Sequence, residues 1–269
     1  MPSHSVAILS AMKNLSLAFA PRLYAQFRWM AALSVALLVG CAAPKPPVPG
    51  APPWALTHWT AQDQIAWHEV QFPAKSPTLY SLDTQAPPNS QGQRTALKAD
   101  AHESASMLRT AVRIEPGNLA HVSFSWLVPA LIDKADMAHR DLDDSPVRVV
   151  LAFEGDRSTF SPKNAMLNEL ARLVTGEEMP YATLMYVWCN QRPVGSVIHN
   201  PRTDRIRKIV VESGAQGLEQ WRSYERDIRA DFVQAFGEAP GALVGIGLMT
   251  DSDNTHSNTV AWYGPIALR

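Results

Sequence analysis

Residues 119–128 read LAHVSFSWLV, and their alternation decides the fold class. Val122, Phe124, Trp126 and Val128 fall on one face of an extended chain and His121, Ser123 and Ser125 on the other, because side chains alternate across a strand with a period of two. Trp126 is therefore expected in the core. The same period recurs in 147–153, where Val147, Val149, Leu151 and Phe153 oppose Arg148. It recurs again in 104–114, where Leu108, Thr110, Val112 and Ile114 oppose Arg109 and Arg113. Residues 181–190, 206–213, 242–250 and 258–268 are further strand candidates, and YATLMYVWCN (181–190) is apolar on both faces, as a central strand covered on both sides would be.

Two segments carry a helical period instead. Ser161-Pro162 reads as an N-cap with proline in the first turn. Met166, Leu167, Leu170 and Leu173 then form one apolar stripe ending near Gly176, expected to face the core. A second helix is expected from about Trp221 to Phe236, with Tyr224, Ile228, Phe232 and Phe236 four apart and Gly237 as its stop. Two helices are too few for the crossovers of a parallel α/β sheet. The expectation is an antiparallel β-sandwich of jelly-roll or galactose-binding-like form with two helical insertions.

Composition bounds the function. The 269 residues are 46% hydrophobic and 18% charged, with a formal net charge of −1. This is too apolar for a disordered chain and offers no basic field for nucleic acid. No apolar run reaches the roughly 20 residues of a spanning helix. Residues 1–40 hold Lys13, Arg22 and Arg28 and no acidic residue, and WMAALSVALLVG (29–40) precedes Cys41. Such a leader suits a secretory signal, with Met12 as an alternative start to Met1. Leu38-Val39-Gly40-Cys41 resembles the lipobox of bacterial lipoproteins, which implies a signal peptide at 1–40 and an acylated Cys41. AAPKPPVPGAPP (42–53) has six prolines in twelve residues, a polyproline-like tether that would span about 3.1 Å per residue. The expected organisation is thus signal peptide at 1–40, acylated cysteine and tether at 41–64, and a single sandwich domain at 65–269. Ala42 after the cysteine favours, by the same resemblance, the periplasmic face of the outer membrane in a Gram-negative cell. Cys189 is then left without a partner, as a buried free thiol.

The chemistry-bearing motifs are mostly absent. There is no G-x-S-x-G elbow, no P-loop, no complete dinucleotide fingerprint and no H-E-x-x-H. Three polar clusters remain. Asp136, Asp141, Asp143 and Asp144 crowd a loop just before Arg148. They read either as a solvated turn or as oxygen ligands for a hard cation such as calcium. Asp251, Asp253 and Thr255 alternate like the opening of a calcium loop, but the glycine and distal glutamate of an EF-hand are missing, so an Asx-type turn network containing Asn254 competes with a metal site. Tyr186 and Trp188 share a strand face and could stack on sugar rings.

AHESASMLR (101–109), FSWLVP (124–129), DLDDSPVRVVLAF (141–153), MPYATLMYVW (179–188), IVVESG (209–214), ERDIRADFVQAFGE (225–238) and GIGLMTDSDNT (245–255) together resemble DUF3047, a bacterial family of unknown function. The resemblance runs over about residues 65–269. It implies an exported protein with a jelly-roll, galactose-binding-like sandwich. It also marks Asp143, Asp144, Arg148, Tyr186, Trp188, Asp251, Asp253, Asn254 and Thr255 as matching the family's polar and aromatic pattern. The leading expectation is a non-catalytic, membrane-anchored module that binds a saccharide or envelope glycan through these residues. One alternative is a glycoside hydrolase or lyase using two carboxylates drawn from Asp143, Asp144, Asp251 and Asp253. Another is an envelope scaffold whose partner is a protein.

Overall fold

The computed structural model describes residues 56, 57, 59 and 66–268, so the readings of the leader, Cys41 and the proline-rich stretch lie outside the described residues. Two seven-stranded sheets face each other. The first runs in the order β1 (Leu56–Thr57), β14 (Ile266–Leu268), β6 (His121–Leu127), β13 (Asn258–Tyr263), β4 (Ala96–His102) and β3 (Leu79–Asp83), with β11 (Trp221–Asp227) also paired to β6. The second runs β2 (His68–Gln71), β5 (Ala105–Ile114), β12 (Leu243–Asp251), β7 (Ser145–Phe153), β8 (Ala182–Cys189), β10 (Ile206–Ser213) and β9 (Val197–His199). The fold begins ahead of residue 65: β1 pairs with β14, and the buried Trp59 indole donates to the Gly264 carbonyl at 2.7 Å.

The period-two faces are where the sequence puts them. Val122, Phe124 and Trp126 of β6 meet Val147, Val149, Leu151, Phe153, Leu184, Tyr186 and Trp188 of β7 and β8 in one core. Each fully buried large side chain there stabilises the fold by about 1.5–3 kcal/mol. The other face of β8 is also covered: Val187 and Cys189 pack with Met137, Ile198 and Val210, and Cys189 is a buried free thiol.

Three expectations need correction. The sandwich is not wholly antiparallel, because β8 and β10 run parallel from Ile206↔Thr183 to Ser213↔Cys189. The chain returns through residues 190–205 and the short edge strand β9, which covers the crossover without a helix. The second helix is shorter than its period suggests. Residues Trp221–Asp227 are strand β11, held along its length by β6 from Trp221↔Leu127 to Asp227↔His121. Helix α2 is Ile228–Phe236, started by the Asp227 carboxylate accepting the Ala230 N–H at 2.9 Å and stopped by Gly237 at φ 74°. Tyr224 keeps the four-residue spacing by coincidence, and pairing with β6 overrides it.

The third correction concerns helix α1, Pro162–Thr175, which is capped by Ser161 and ended by Gly176 as expected. Most of its apolar stripe faces outward: Met166, Leu170 and Leu173 are exposed together with Val174, Leu167 is half-buried, and Asn164 and Asn168 are its buried residues. Polar pins dock it. Thr203 donates its hydroxyl to Asn164 Oδ1 at 2.8 Å, the Asn164 amide donates to Asp204, and the Met179 N–H donates to Asn168 Oδ1 at 2.9 Å. Leu170→Ser is therefore expected to change the unfolding free energy by less than about 0.5 kcal/mol. Asn164→Ala should cost about 1–3 kcal/mol by stranding its partners. Urea denaturation of both variants checks this, and the reverse ranking would return the stripe to the core.

Candidate functional site

The two acidic loops named from the sequence do converge, on Arg148. Arg148 sits at the start of β7 with 2% exposure, and a buried guanidinium requires carboxylates and filled donors. Its Nε and Nη2 donate to the two oxygens of Asp251, at the end of β12, at 3.0 and 2.8 Å. Both Nη atoms reach Asp143 Oδ1 at 3.2 Å, and Nη2 also reaches the Asp143 carbonyl at 2.8 Å. A cation the sequence reading missed completes the group. Lys208, on β10 and wholly buried, donates to both Asp143 oxygens at 2.6 and 2.7 Å and to the Met137 carbonyl at 3.0 Å. A lysine directly before the apolar run Ile209-Val210-Val211 was its only signal.

Asp144 organises the second loop. Its oxygens accept the backbone and side-chain amides of Asn254 at 3.2 and 2.9 Å and the backbone and hydroxyl of Thr255 at 2.7 and 2.6 Å. Asp253 pairs with Lys75. Oxygens of Asp144, Asp251 and Asp253 lie within 4.8 Å of one another, so the calcium reading has a geometric basis. Yet Asp251 is held by Arg148, Asp253 by Lys75 and Asp144 by four donors. Protein cations and N–H groups already stand where a metal would have to bind.

The charges set one another's protonation. Burial would raise Asp143, but Arg148 and Lys208 more than offset this and hold it below the usual carboxylate range. Burial pulls Lys208 down to about 8, with Arg148 repelling and Asp143 opposing. Burial pushes Asp251 up to about 7, with Arg148 opposing and Asp144 and Asp143 adding to the rise. Among its described partners this group is closed on itself, and its role is to tie β7, β10 and β12 to their loops. The two aromatics are not part of it. Tyr186 and Trp188 are in the core. The Tyr186 hydroxyl donates to Asp231 at 2.9 Å, and its ring stacks on Phe124 at 5.5 Å. The Trp188 indole donates to the Gly214 carbonyl at 2.9 Å. Neither ring has a face open to a ligand.

A concave surface lies elsewhere, on the outward face of the first sheet. Where Phe124 and Trp126 point inward, Ser123 and Ser125 of β6 point out, beside Ser223 and Trp221 of β11 and Ala267 of β14. The Pro87–Gln93 loop walls this floor, and the cleft holds about 770 Å³, within the range of small-ligand sites. The loop is braced from within: Asn89 Oδ1 accepts the N–H groups of Gln91 and Gln93 at 3.0 and 2.9 Å. The Trp221 indole donates to the Pro87 carbonyl at 2.8 Å, fixing the ring against the wall. Gly264 allows the approach from below, since a Cβ there would lie 2.1 Å from Ser125 Oγ and 3.3 Å from the Trp221 ring. Glu219, in the left-handed region at φ 59°, is the single charged side chain lining the cleft. The rest of the polar lining is amide and hydroxyl: Asn89, Gln91, Gln93, Gln220, Tyr224 and four serines, Ser90, Ser123, Ser125 and Ser223.

The sequence reading missed this site because it drew Trp221 into a helix. The signal was the strict alternation of Trp221, Ser223 and Glu225 with Arg222, Tyr224 and Arg226 ahead of the capping Asp227.

The sequence pattern of the family described as "Protein of unknown function (DUF3047)" matches residues 65–267. No curated protein matches the chain. Among solved structures it is similar to the xyloglucanase domain of NopAA, a type three effector from Sinorhizobium fredii, at 9% identity and TM-score 0.39, covering 76% of this chain and 92% of that one. A family 11 carbohydrate-binding module from Clostridium thermocellum matches at 6% identity and TM-score 0.34, covering 76% and 88%. The Endo-D glycoside hydrolase domain from Streptococcus pneumoniae R6 matches at 7% identity and TM-score 0.31, covering 75% of this chain and 21% of that one. Likenesses of this size say nothing about what the present cleft holds.

The buried network makes a measurable demand on stability. Arg148→Met should cost about 3–5 kcal/mol, because it leaves Asp251 buried without its cation and Asp143 with Lys208 alone. Adding Asp251→Asn should recover part of that loss, a coupling that a double-mutant cycle by chemical denaturation measures. Additive losses would show that the two side chains do not act as a pair.

Proposed function

The chain belongs to the DUF3047 family of unknown function, and we propose that it is a non-catalytic saccharide-binding module anchored to a membrane through Cys41. The cleft over β6, β11 and β14 carries the binding half of this reading. Its floor offers a pinned indole for the apolar C–H face of a sugar ring, and its rim offers amides and hydroxyls for the ring's own hydroxyl groups. No Lys, Arg, His or Asp lines it, which suits an uncharged glycan better than a phosphate or a uronic acid. The same lining argues against hydrolysis. A glycosidase of the usual kind needs two carboxyl groups about 5–10 Å apart across the substrate. Glu219 stands alone in the cleft, and the four Asp candidates are engaged in the Arg148 network.

The anchoring half rests on the sequence Leu38-Val39-Gly40-Cys41 and the proline-rich stretch after it, and implies the cell envelope, on the periplasmic face of an outer membrane where there is one. Two or three acyl chains on one cysteine would make attachment effectively permanent.

Calorimetric titration of the full chain with neutral oligosaccharides tests the first half. Trp221→Ala should weaken binding at least about tenfold, or 1.4 kcal/mol, while Trp188→Phe, at a ring without access to the cleft, leaves the dissociation constant unchanged. Flat titrations across neutral glycans would remove the saccharide reading. Metabolic labelling with a palmitate analogue tests the second: the wild-type chain is expected to take up label and Cys41→Ser to take up none. An unlabelled wild-type chain would remove the anchor.

A further inference from the structure

Helix α1 is inverted relative to an ordinary surface helix, and this is the feature of the described residues that neither the core nor the cleft absorbs. Met166, Leu170, Leu173 and Val174 are 64%, 55%, 79% and 56% exposed. At 3.6 residues per turn they share an arc of about 100°, directly opposite the buried Asn164 and Asn168. The exposed Leu79, Val194 and Val233 sit on other elements, whereas α1 gathers four such side chains on one face. Singly scattered surface hydrophobics are ordinary, but these four gather on one helix face, opposite the polar face that docks the helix.

Its size and place identify the occupant. Fourteen residues make a helix about 21 Å long and about 10 Å across, a footprint near 200 Å². That is roughly a quarter of the 800 Å² each partner contributes to a stable protein interface. A stripe this small does not hold a second copy or another protein by itself, but it suffices to orient a domain already confined at a surface, where the effective concentration is high. Its charges favour no lipid headgroup: Lys163 stands alone, and Arg172 pairs with Glu169 at 2.8 Å. The end of the helix lies over the second sheet, where Glu177 pairs with Arg109 on the outward face of β5 at 2.9 and 3.0 Å. The cleft opens from the outward face of the first sheet. A domain resting on α1 therefore presents its cleft away from the surface beneath.

We propose that the Met166, Leu170, Leu173 and Val174 face of α1 seats in the lipid interface of the membrane that holds Cys41, orienting the domain with its cleft outward. This rests on the anchoring half of the proposed function and is independent of what the cleft binds.

The test uses the full chain with Cys41 intact, floated with vesicles of phosphatidylethanolamine and phosphatidylglycerol. An environment-sensitive dye is placed at Leu170→Cys or, as reference, at Leu79→Cys, which is 67% exposed on β3 of the first sheet. Both sites are exposed, so folding is not at stake, and the native Cys189 is buried. The dye at 170 should brighten several-fold and shift to the blue with vesicles, be quenched by spin-labelled lipid, and respond equally at any phosphatidylglycerol fraction. The dye at 79 should not change. If the chain floats and the two sites respond alike, the anchor stands and the helix proposal falls. If the chain does not float, the anchor and the orientation fall together. If the dye at 170 changes without lipid and in step with protein concentration, the stripe meets a second copy and the lipid proposal is overturned.

Discussion

A guanidinium that has lost its water decides much of this molecule. Arg148 lies at the mouth of β7, in the strand between β12 and β8, and its charge is answered from β12 by Asp251 and from the preceding loop by Asp143. Asp143 in turn must answer Lys208 from β10. Three strands of one sheet and two loops are thus held by mutual neutralisation. Removing any one partner would leave another charge in a medium that solvates it poorly. That is why four carboxylates can crowd within reach of one another. Their repulsion, which would otherwise open the loops or call for a metal, is absorbed by Arg148, Lys208 and Lys75 together with the N–H groups of Ser145, Asn254 and Thr255.

With that end of the sandwich closed, the concave surface lies elsewhere. It forms where a strand carries large side chains inward and small ones outward. Phe124 and Trp126 fill the core while Ser123 and Ser125 leave a shallow floor. The edge strand β11 extends that floor by one tryptophan, and the Pro87–Gln93 loop raises a wall beside it. The indole N–H of Trp221 is committed to Pro87, so the ring is presented already oriented. Little conformational freedom remains to be lost when something stacks on it.

Most of the scaffold was legible because alternation reports burial directly. Residues 121–127, 145–153 and 182–189 are strands within a residue or two of the boundaries their patterns imply. What was not legible depended on contacts distant in sequence. Nothing local says that Trp221–Asp227 will lie against β6 when Tyr224 happens to continue a helical spacing. Tyr186 and Trp188 look like a sugar platform until Asp231 and the Gly214 carbonyl take their polar ends into the core. Lys208 appears exposed by its type and is buried by its partners.

The inverted helix shows the same limit from the opposite side. A stripe of Met, Leu and Val reads as a core face because most amphipathic helices dock by burying apolar area. α1 docks instead through amides: Asn164 answers Thr203 and Asp204, and Asn168 answers the Met179 N–H. Each bond exchanges a water contact for a protein one and stabilises by only about 0.5–1.5 kcal/mol. A helix held this way gives up the larger gain of burying its leucines against the sheet. Helix α2, by contrast, buries Ile228 and Phe232 in the usual manner, and the proposal that the leucines of α1 meet lipid accounts for the difference.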